Sequence, residues 1–455
     1  MDTRIFEHLE SEVRSYIRSF PAVFCQASGS WMTAEDGRRY LDFFSGAGTL
    51  NYGHNHPALK ERLLAYLAQD GIVHGLDMAT SAKRDFMETF ERLILKPRQL
   101  DYKLQFTGPT GTNAVEAALK LARQVKDRAT VLCFTNGFHG VTGGSAAATG
   151  SRKFREAVGT PLSHTRHMPF ANYFGDADTL AMIDRQLSDP GSGLDRPAAV
   201  LVETIQGEGG IRPIPVEMLR ALRDLCDEHG LLLILDEVQC GVGRTGKLFA
   251  HEWAGITPDL MAVAKGIGGG FPLGACLATE EAAYGMKAGT HGSTYGGNPL
   301  GMAVGNAVLD VVLEDGFLEN VRDTALVFRQ GLASLKDRFP DVIEDVRGEG
   351  LMLGLKAKVP NTELLMAMRD EHLLGVPAGD NVIRLLPPLT VTAEEARDGI
   401  AGTGPVLRGN LEWRQALGER TRLSQVTRIE TGQRGTYLRN SLLLNIQLQP
   451  ALSLD

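Results

Sequence analysis

Two short apolar runs, each ending on a reactive side chain, narrow the possible folds of this chain more than any other feature. Leu231-Leu232-Leu233-Ile234-Leu235 runs directly into Asp236-Glu237-Val238-Gln239. Leu260-Met261-Ala262-Val263-Ala264 ends on Lys265, with Gly266, Gly268, Gly269 and Gly270 close behind. A continuous apolar run of this length suits a strand buried on both faces of a parallel sheet. In such sheets chemistry gathers just beyond the carboxyl ends of the strands. The spacing therefore predicts a carboxylate and an amine emerging from two strand ends.

A desolvated lysine gives up its proton more readily than one in water, and the free amine forms Schiff bases. Pyridoxal phosphate chemistry needs such a lysine, with an acid that keeps the pyridine nitrogen protonated. Taken singly, Asp236 reads as a loop cap and Lys265 as a surface lysine. The ordered pair with its glycine collar favours the chemical reading. Between them, Gly241-Val242-Gly243-Arg244-Thr245-Gly246 fits G-x-G-x-x-G, the basis of a competing reading as a nicotinamide-dependent oxidoreductase. That fingerprint needs its glycines at a strand-to-helix turn. Here Asp236 to Gln239 intervene, and Lys247 to Trp253 leaves little room for a helix before Gly255 and Pro258, so the run reads as a loop.

At 455 residues and 43% hydrophobic content the chain can bury a core large enough for two domains. A net charge of −8 argues against a nucleic-acid partner. The five cysteines, Cys25, Cys133, Cys226, Cys240 and Cys276, form no C-x-x-C pair, which points to reduced thiols rather than disulfides or zinc. No apolar run approaches a membrane span, and the N-terminus lacks the apolar core of a signal peptide, so the cytoplasm is expected.

In chain order, Ile5, Phe6, Leu9, Val13, Tyr16 and Ile17 form a helical stripe over residues 4 to 19 that Pro21 stops. Trp31 to Phe44 reads as two strands around the Asp36-Gly37 turn. Two histidines, His54 and His56, have no third ligand nearby and read as a loop lining a pocket rather than a metal site. Residues 58–70 and 81–95 look like amphipathic helices. Thr107-Gly108-Pro109-Thr110-Gly111-Thr112 opens a strong helix from Asn113 to Arg123, either as an ordinary cap or as a phosphate cradle at a positive dipole end. Phe138, after the buried run Val131 to Phe134, is either core or a ring stacked on a planar cofactor. A strand at Ala198 to Glu203 and a helix at Val216 to His229 continue the alternation, which argues for an α/β layered domain. Beyond about residue 310 a long helix and strands at 342–346 and 351–355 suggest a smaller α+β domain. After a helix starting at Thr392, Gly402, Gly404 and Pro405 interrupt, and recurring arginines without a sustained apolar face suggest a poorly ordered tail.

Over roughly residues 20 to 400 the chain resembles class III pyridoxal-phosphate aminotransferases. The likeness is carried by Thr110-Gly111-Thr112, Gly137-Phe138-His139-Gly140, Glu203 to Gly210, Asp236 to Gln239, Gly243 to Gly246, Lys265, Thr294 to Pro299 and Gly379 to Arg384. The resemblance implies fold type I: a large domain with a mostly parallel seven-stranded sheet flanked by helices, plus a smaller α+β domain. It divides the chain into an N-terminal segment (1–55) contributing to the small domain, the large cofactor-binding domain (56–315), the small domain (316–400) and an atypical tail (401–455). It implies Lys265 as the Schiff-base lysine and proton shuttle, Asp236 on the ring nitrogen, Phe138 on the ring face, and Gly111 and Thr112 at the phosphate. Gln239 would lie near the phenolic oxygen, and His139, Glu203 and Val238 complete the cofactor-binding set. Thr294 would reach the cofactor of a neighbouring subunit, which requires a homodimer. Arg384 would bind the α-carboxylate of glutamate or 2-oxoglutarate, the amino donor and its 2-oxo acid, and Glu208 resembles a gate between substrates.

Residues 1 to about 205 resemble L-2,4-diaminobutyrate:2-oxoglutarate aminotransferases of ectoine biosynthesis, whereas Gly207 to Ile400 is more similar to acetylornithine aminotransferases. The latter group carries arginine directly after F-H-G, where this chain has Val141. Losing a buried cationic partner costs a carboxylate substrate a few kcal/mol. That departure favours diaminobutyrate and weakens the gating role of Glu208. A catalytically dead scaffold without cofactor is the remaining alternative.

Overall fold

The computed structural model describes residues 3–14, 16–20, 22–175, 177–403, 421–432 and 435–446. At its centre is a seven-stranded sheet in the order Tyr102–Phe106, Ala275–Thr279, Leu260–Val263, Leu232–Asp236, Ala199–Glu203, Val131–Phe134, Thr165–Met168. Every neighbouring pair is parallel except the two made by Ala275–Thr279. The inner strands Val131–Phe134, Ala199–Glu203, Leu232–Asp236 and Leu260–Val263 are buried at every position. That burial is why their sequences are unbroken apolar runs rather than alternating ones.

Helices cover both faces of this sheet. Gly111–Lys126 buries Ala114, Val115, Ala117, Ala118, Leu121 and Ala122 on one side. Thr110 caps its start by accepting from the Asn113 N–H at 3.3 Å. Asp127, left-handed at φ 49°, ends it. On the other side lie Pro57–Ala68, Ser81–Phe90, Val216–His229 and Pro299–Val312; the last is the most apolar and is buried nearly all round. Two four-stranded sheets stand apart from this body. One joins Phe24–Ser28, Trp31–Ala34 and Arg39–Asp42 to Leu373–Leu374. The other is built from Ile343–Glu349, Met352–Ala357, Val382–Leu385 and Val376–Ala378. The long helix Phe317–Arg338 packs on the second.

One of three local expectations meets a different outcome. The single helix expected over residues 4–19 is two pieces, Arg4–Leu9 and Tyr16–Ser19, with Glu10 extended between them. Ile5, Leu9 and Val13 are 56%, 72% and 80% exposed, so no packing sustains a longer helix. The G-x-G-x-x-G run, Gly241 to Gly246, forms a string of turns with no helix starting from it, as its context indicates. The tail expectation falls partly on 404–420 and 447–455, outside the described residues. Within it, 421–432 and 435–446 pair as antiparallel strands. Residues 393–403 are helical.

Candidate active site

Parallel register assembles the site. Asp236 is level with Glu203 on one neighbouring strand and with Ala262 on the other, so the chain that continues from Ala262 delivers Lys265 beside both acids. Lys265 has left-handed backbone (φ 48°), a conformation that costs an L-residue on the order of 1 kcal/mol. Its Nζ donates to the Ala47 carbonyl at 2.9 Å. Burial, with the Arg384 charge adding, pulls the amine down to about 8, against the opposing pull of Asp236, Glu208 and Glu203. A lysine held this way is half available as a neutral nucleophile near pH 8.

Asp236 is buried, and its Oδ2 is paired with His139 Nδ1 at 2.8 Å while Oδ1 accepts the Val238 N–H at 3.1 Å. Burial opposes a proton on His139, yet the hydrogen bond and charge of Asp236, with Glu203 behind it, raise its pKa above the ordinary value. Glu203 is pushed up to about 7, chiefly by burial. Its two oxygens are each taken by a backbone N–H, Phe138 at 2.8 Å and Gly207 at 3.0 Å. Glu203 thus holds together the loop that carries Phe138 and the loop that carries Glu208.

At the helix start, a Cβ on Gly111 would sit 2.6 Å from Val238 Cγ1, so only glycine leaves the space between them open. Thr112 Oγ1 is within 2.5 Å of Ser145 Oγ and 3.0 Å of Thr142 Oγ1. Gly140, at φ 125°, packs where a Cβ would lie 2.2 Å from that hydroxyl. Gln239 Nε2 donates to the same Ala47 carbonyl at 3.1 Å, and its buried Oε1 has no hydrogen-bond partner. Arg384 is buried and donates from Nη2 to Glu208 Oε2 at 2.6 Å and to the Pro377 carbonyl at 3.0 Å. Thr294 is exposed, and its carbonyl is paired with His74 Nε2 at 2.9 Å.

Sequence reasoning missed Ala47. Its carbonyl receives both Lys265 and Gln239, and it is left-handed at φ 55° beside Ser45 at φ 45°. The cluster Gly46-Ala47-Gly48, directly after a strand, is the signal that pointed there. Also missed was Arg244 in the turn-rich loop, buried and donating to Leu351 O, Pro387 O and Asn51 Oδ1.

The residues present fit pyridoxal phosphate. An orphaned amide oxygen on Gln239 awaits a hydroxyl, and a helix start whose first-turn N–H groups lack intrahelical carbonyls awaits a phosphate. A buried carboxylate at one end of the site and an amine at the other complete the donor set. Residues 14–403 match the aminotransferase class-III family, and the chain belongs to that family of pyridoxal-phosphate-dependent enzymes. It is 50% identical over 408 residues to a diaminobutyrate–2-oxoglutarate transaminase of Bordetella parapertussis, covering 88% of this chain and 94% of that protein. It is 54% identical over 388 residues to an acetylornithine aminotransferase of Agrobacterium fabrum, covering 84% and 92%. Among solved structures, the ornithine aminotransferase of Toxoplasma gondii superposes with a TM-score of 0.80 at 26% identity over 90% of this chain and 95% of that one. A PLP-bound amine transaminase from an uncultivated Pseudomonas species gives 0.79 at 29% identity, over 88% and 98%.

Proposed function

We propose that this aminotransferase moves a terminal amino group between glutamate or 2-oxoglutarate and a short diamino acid, with L-2,4-diaminobutyrate as the preferred partner. The reading is supported by the diaminobutyrate transaminase relatives and by Val141 in place of the arginine expected of acetylornithine enzymes. The observation that carries the chemistry is the Lys265 amine, seated on the Ala47 carbonyl and delivered by parallel register beside a buried, hydrogen-bonded Asp236. Pyridoxal phosphate, when bound, supplies a cationic ring that accepts the electron pair released as the substrate carbon loses its proton.

The protein residues do the rest. Asp236 would hold the ring nitrogen, with His139 fixing the carboxylate's orientation, and Val238 and Phe138 would hold the ring's two faces. Gly111 and Thr112 would hold the phosphate at the helix start, and Gln239 the phenolic oxygen. Lys265, neutral above about pH 8, takes a proton from the substrate carbon and returns one. Arg384, released from Glu208, would grip the α-carboxylate of glutamate bidentately. Thr294, exposed, is suited to a neighbouring subunit's phosphate, which makes the working unit a homodimer; the cytoplasm is its proposed location.

Purified protein should be yellow and lose that colour on borohydride reduction, and Lys265→Ala should be inactive; turnover by that variant sinks the reading. The ratio of kcat/KM for diaminobutyrate to that for N-acetylornithine identifies the donor. A preference for N-acetylornithine is the second reading, favoured by the 54% identity to the Agrobacterium fabrum enzyme.

A further inference from the structure

Four consecutive residues, Ser45, Gly46, Ala47 and Gly48, have positive φ, at 45°, 57°, 55° and 80°. Glycine adopts such backbone freely, whereas serine and alanine hold it only where the surroundings leave no alternative. What this turn presents is the Ala47 carbonyl, which accepts from Lys265 Nζ at 2.9 Å and from Gln239 Nε2 at 3.1 Å. A carbonyl receives only donors, so it also fixes which end of the Gln239 amide faces it.

The turn is entered from Asp42, the last residue of the strand Arg39–Asp42 and 1% exposed. Its Oδ1 accepts the Phe44 N–H at 2.9 Å and the Ser45 N–H at 2.8 Å, and its carbonyl accepts the Ser45 hydroxyl at 3.2 Å. Oδ2 is paired with His54 Nε2 at 2.8 Å, and His54 is tied by two backbone hydrogen bonds to Gly29. Both oxygens of this carboxylate therefore act on the backbone that leads to Ala47, one directly and one as an anchor.

We propose that Asp42, anchored by His54, is a positioning residue for the reaction: its carboxylate holds the left-handed turn that sets the Ala47 carbonyl against the Lys265 amine. The inference rests on the transaminase reading above. It concerns the stage at which that amine is free, before it captures the cofactor and each time substrate displaces it. Without this acceptor the lysine side chain spreads over several rotamers, and only a fraction of the molecules has the amine in place.

The test mixes cofactor-free protein with pyridoxal phosphate, at a pH where the wild-type rate has levelled off, and follows capture by stopped-flow absorbance. Asp42→Ala should capture about tenfold more slowly. Hydrogen exchange in a peptide spanning residues 43–50 should quicken, with the rest of the chain unaltered. Asp42→Asn, whose Oδ1 still accepts both N–H groups, should stay within about twofold of the wild-type rate. Adding Ala47→Gly to Asp42→Ala should restore much of the rate, because glycine keeps a positive φ without help; a merely structural role for Asp42 gives no such recovery. Wild-type capture by Asp42→Ala, an equal loss in Asp42→Asn, or no recovery with Ala47→Gly overturns the assignment. Should Asp42→Ala not fold, His54→Ala decides in its place: capture slowed about threefold supports the assignment and an unchanged rate overturns it. Failure of the wild type to take up pyridoxal phosphate sinks the transaminase reading instead, so the two failures are told apart.

Discussion

Lys265 shows how much one backbone position decides. Because its amine sits near 8 rather than near 10.5, the neutral fraction rises as pH climbs through 8 and is almost complete a unit or two above. The rate at which cofactor-free protein takes up pyridoxal phosphate should therefore rise with pH through 8 and level off a unit or two above it, followed by absorbance. A rate still climbing toward pH 10.5 contradicts the depressed value. His139 gives the opposite sign. Its raised pKa is owed to Asp236, so in Asp236→Asn burial is left to dominate and the imidazole should titrate below its ordinary value, as read by NMR. The two chemical residues were legible in the sequence because a buried strand cannot tolerate a charge except at its end. Ala47 was not, since a backbone carbonyl carries no signature in the side-chain alphabet.

Among the elements, the loop from Gly241 to Gly246 does more than connect strands. Its Arg244 is buried, has no acid paired with it among the described residues, and satisfies two carbonyls from the C-terminal part of the chain, those of Leu351 and Pro387, together with Asn51. Burial brings its pKa down to about 9. Arg244→Met leaves those acceptors unpaired and should destabilise the fold by about 3 kcal/mol, measured as a lowered urea midpoint. Gly140→Ala drives a methyl into Thr112 and demands a positive φ from alanine, so cofactor affinity should fall by about an order of magnitude in a fluorescence titration. Strands and helices with a packed face were readable from periodicity. The N-terminal stripe was misread because it has the period of a helix while Ile5, Leu9 and Val13 stay exposed, with only Tyr16 set against a ring, that of Phe44.

For the whole molecule, the exposed apolar residues Ile72, Val73, Leu76 and Met78 are chemically suited to the proposed subunit contact. The His74 side chain from the same stretch reaches the Thr294 carbonyl. A charge there, as in Leu76→Asp, should shift the protein from dimer to monomer in sedimentation velocity and lose bound cofactor with it. Retention of cofactor by a clean monomer would remove the case for Thr294 acting across subunits. The order of the seven strands was not legible locally; the family likeness supplied the mostly parallel sheet, and the antiparallel Ala275–Thr279 emerged only from tertiary pairing.

The seat of the lysine amine, the Ala47 carbonyl, lies just after Phe43, whose own backbone is tied to Leu374 and Leu386. Those residues leave the ribosome more than three hundred positions later. During synthesis the nucleophile is thus built long before its resting place is secured, and a growing chain carries an unparked amine until almost all of it has emerged.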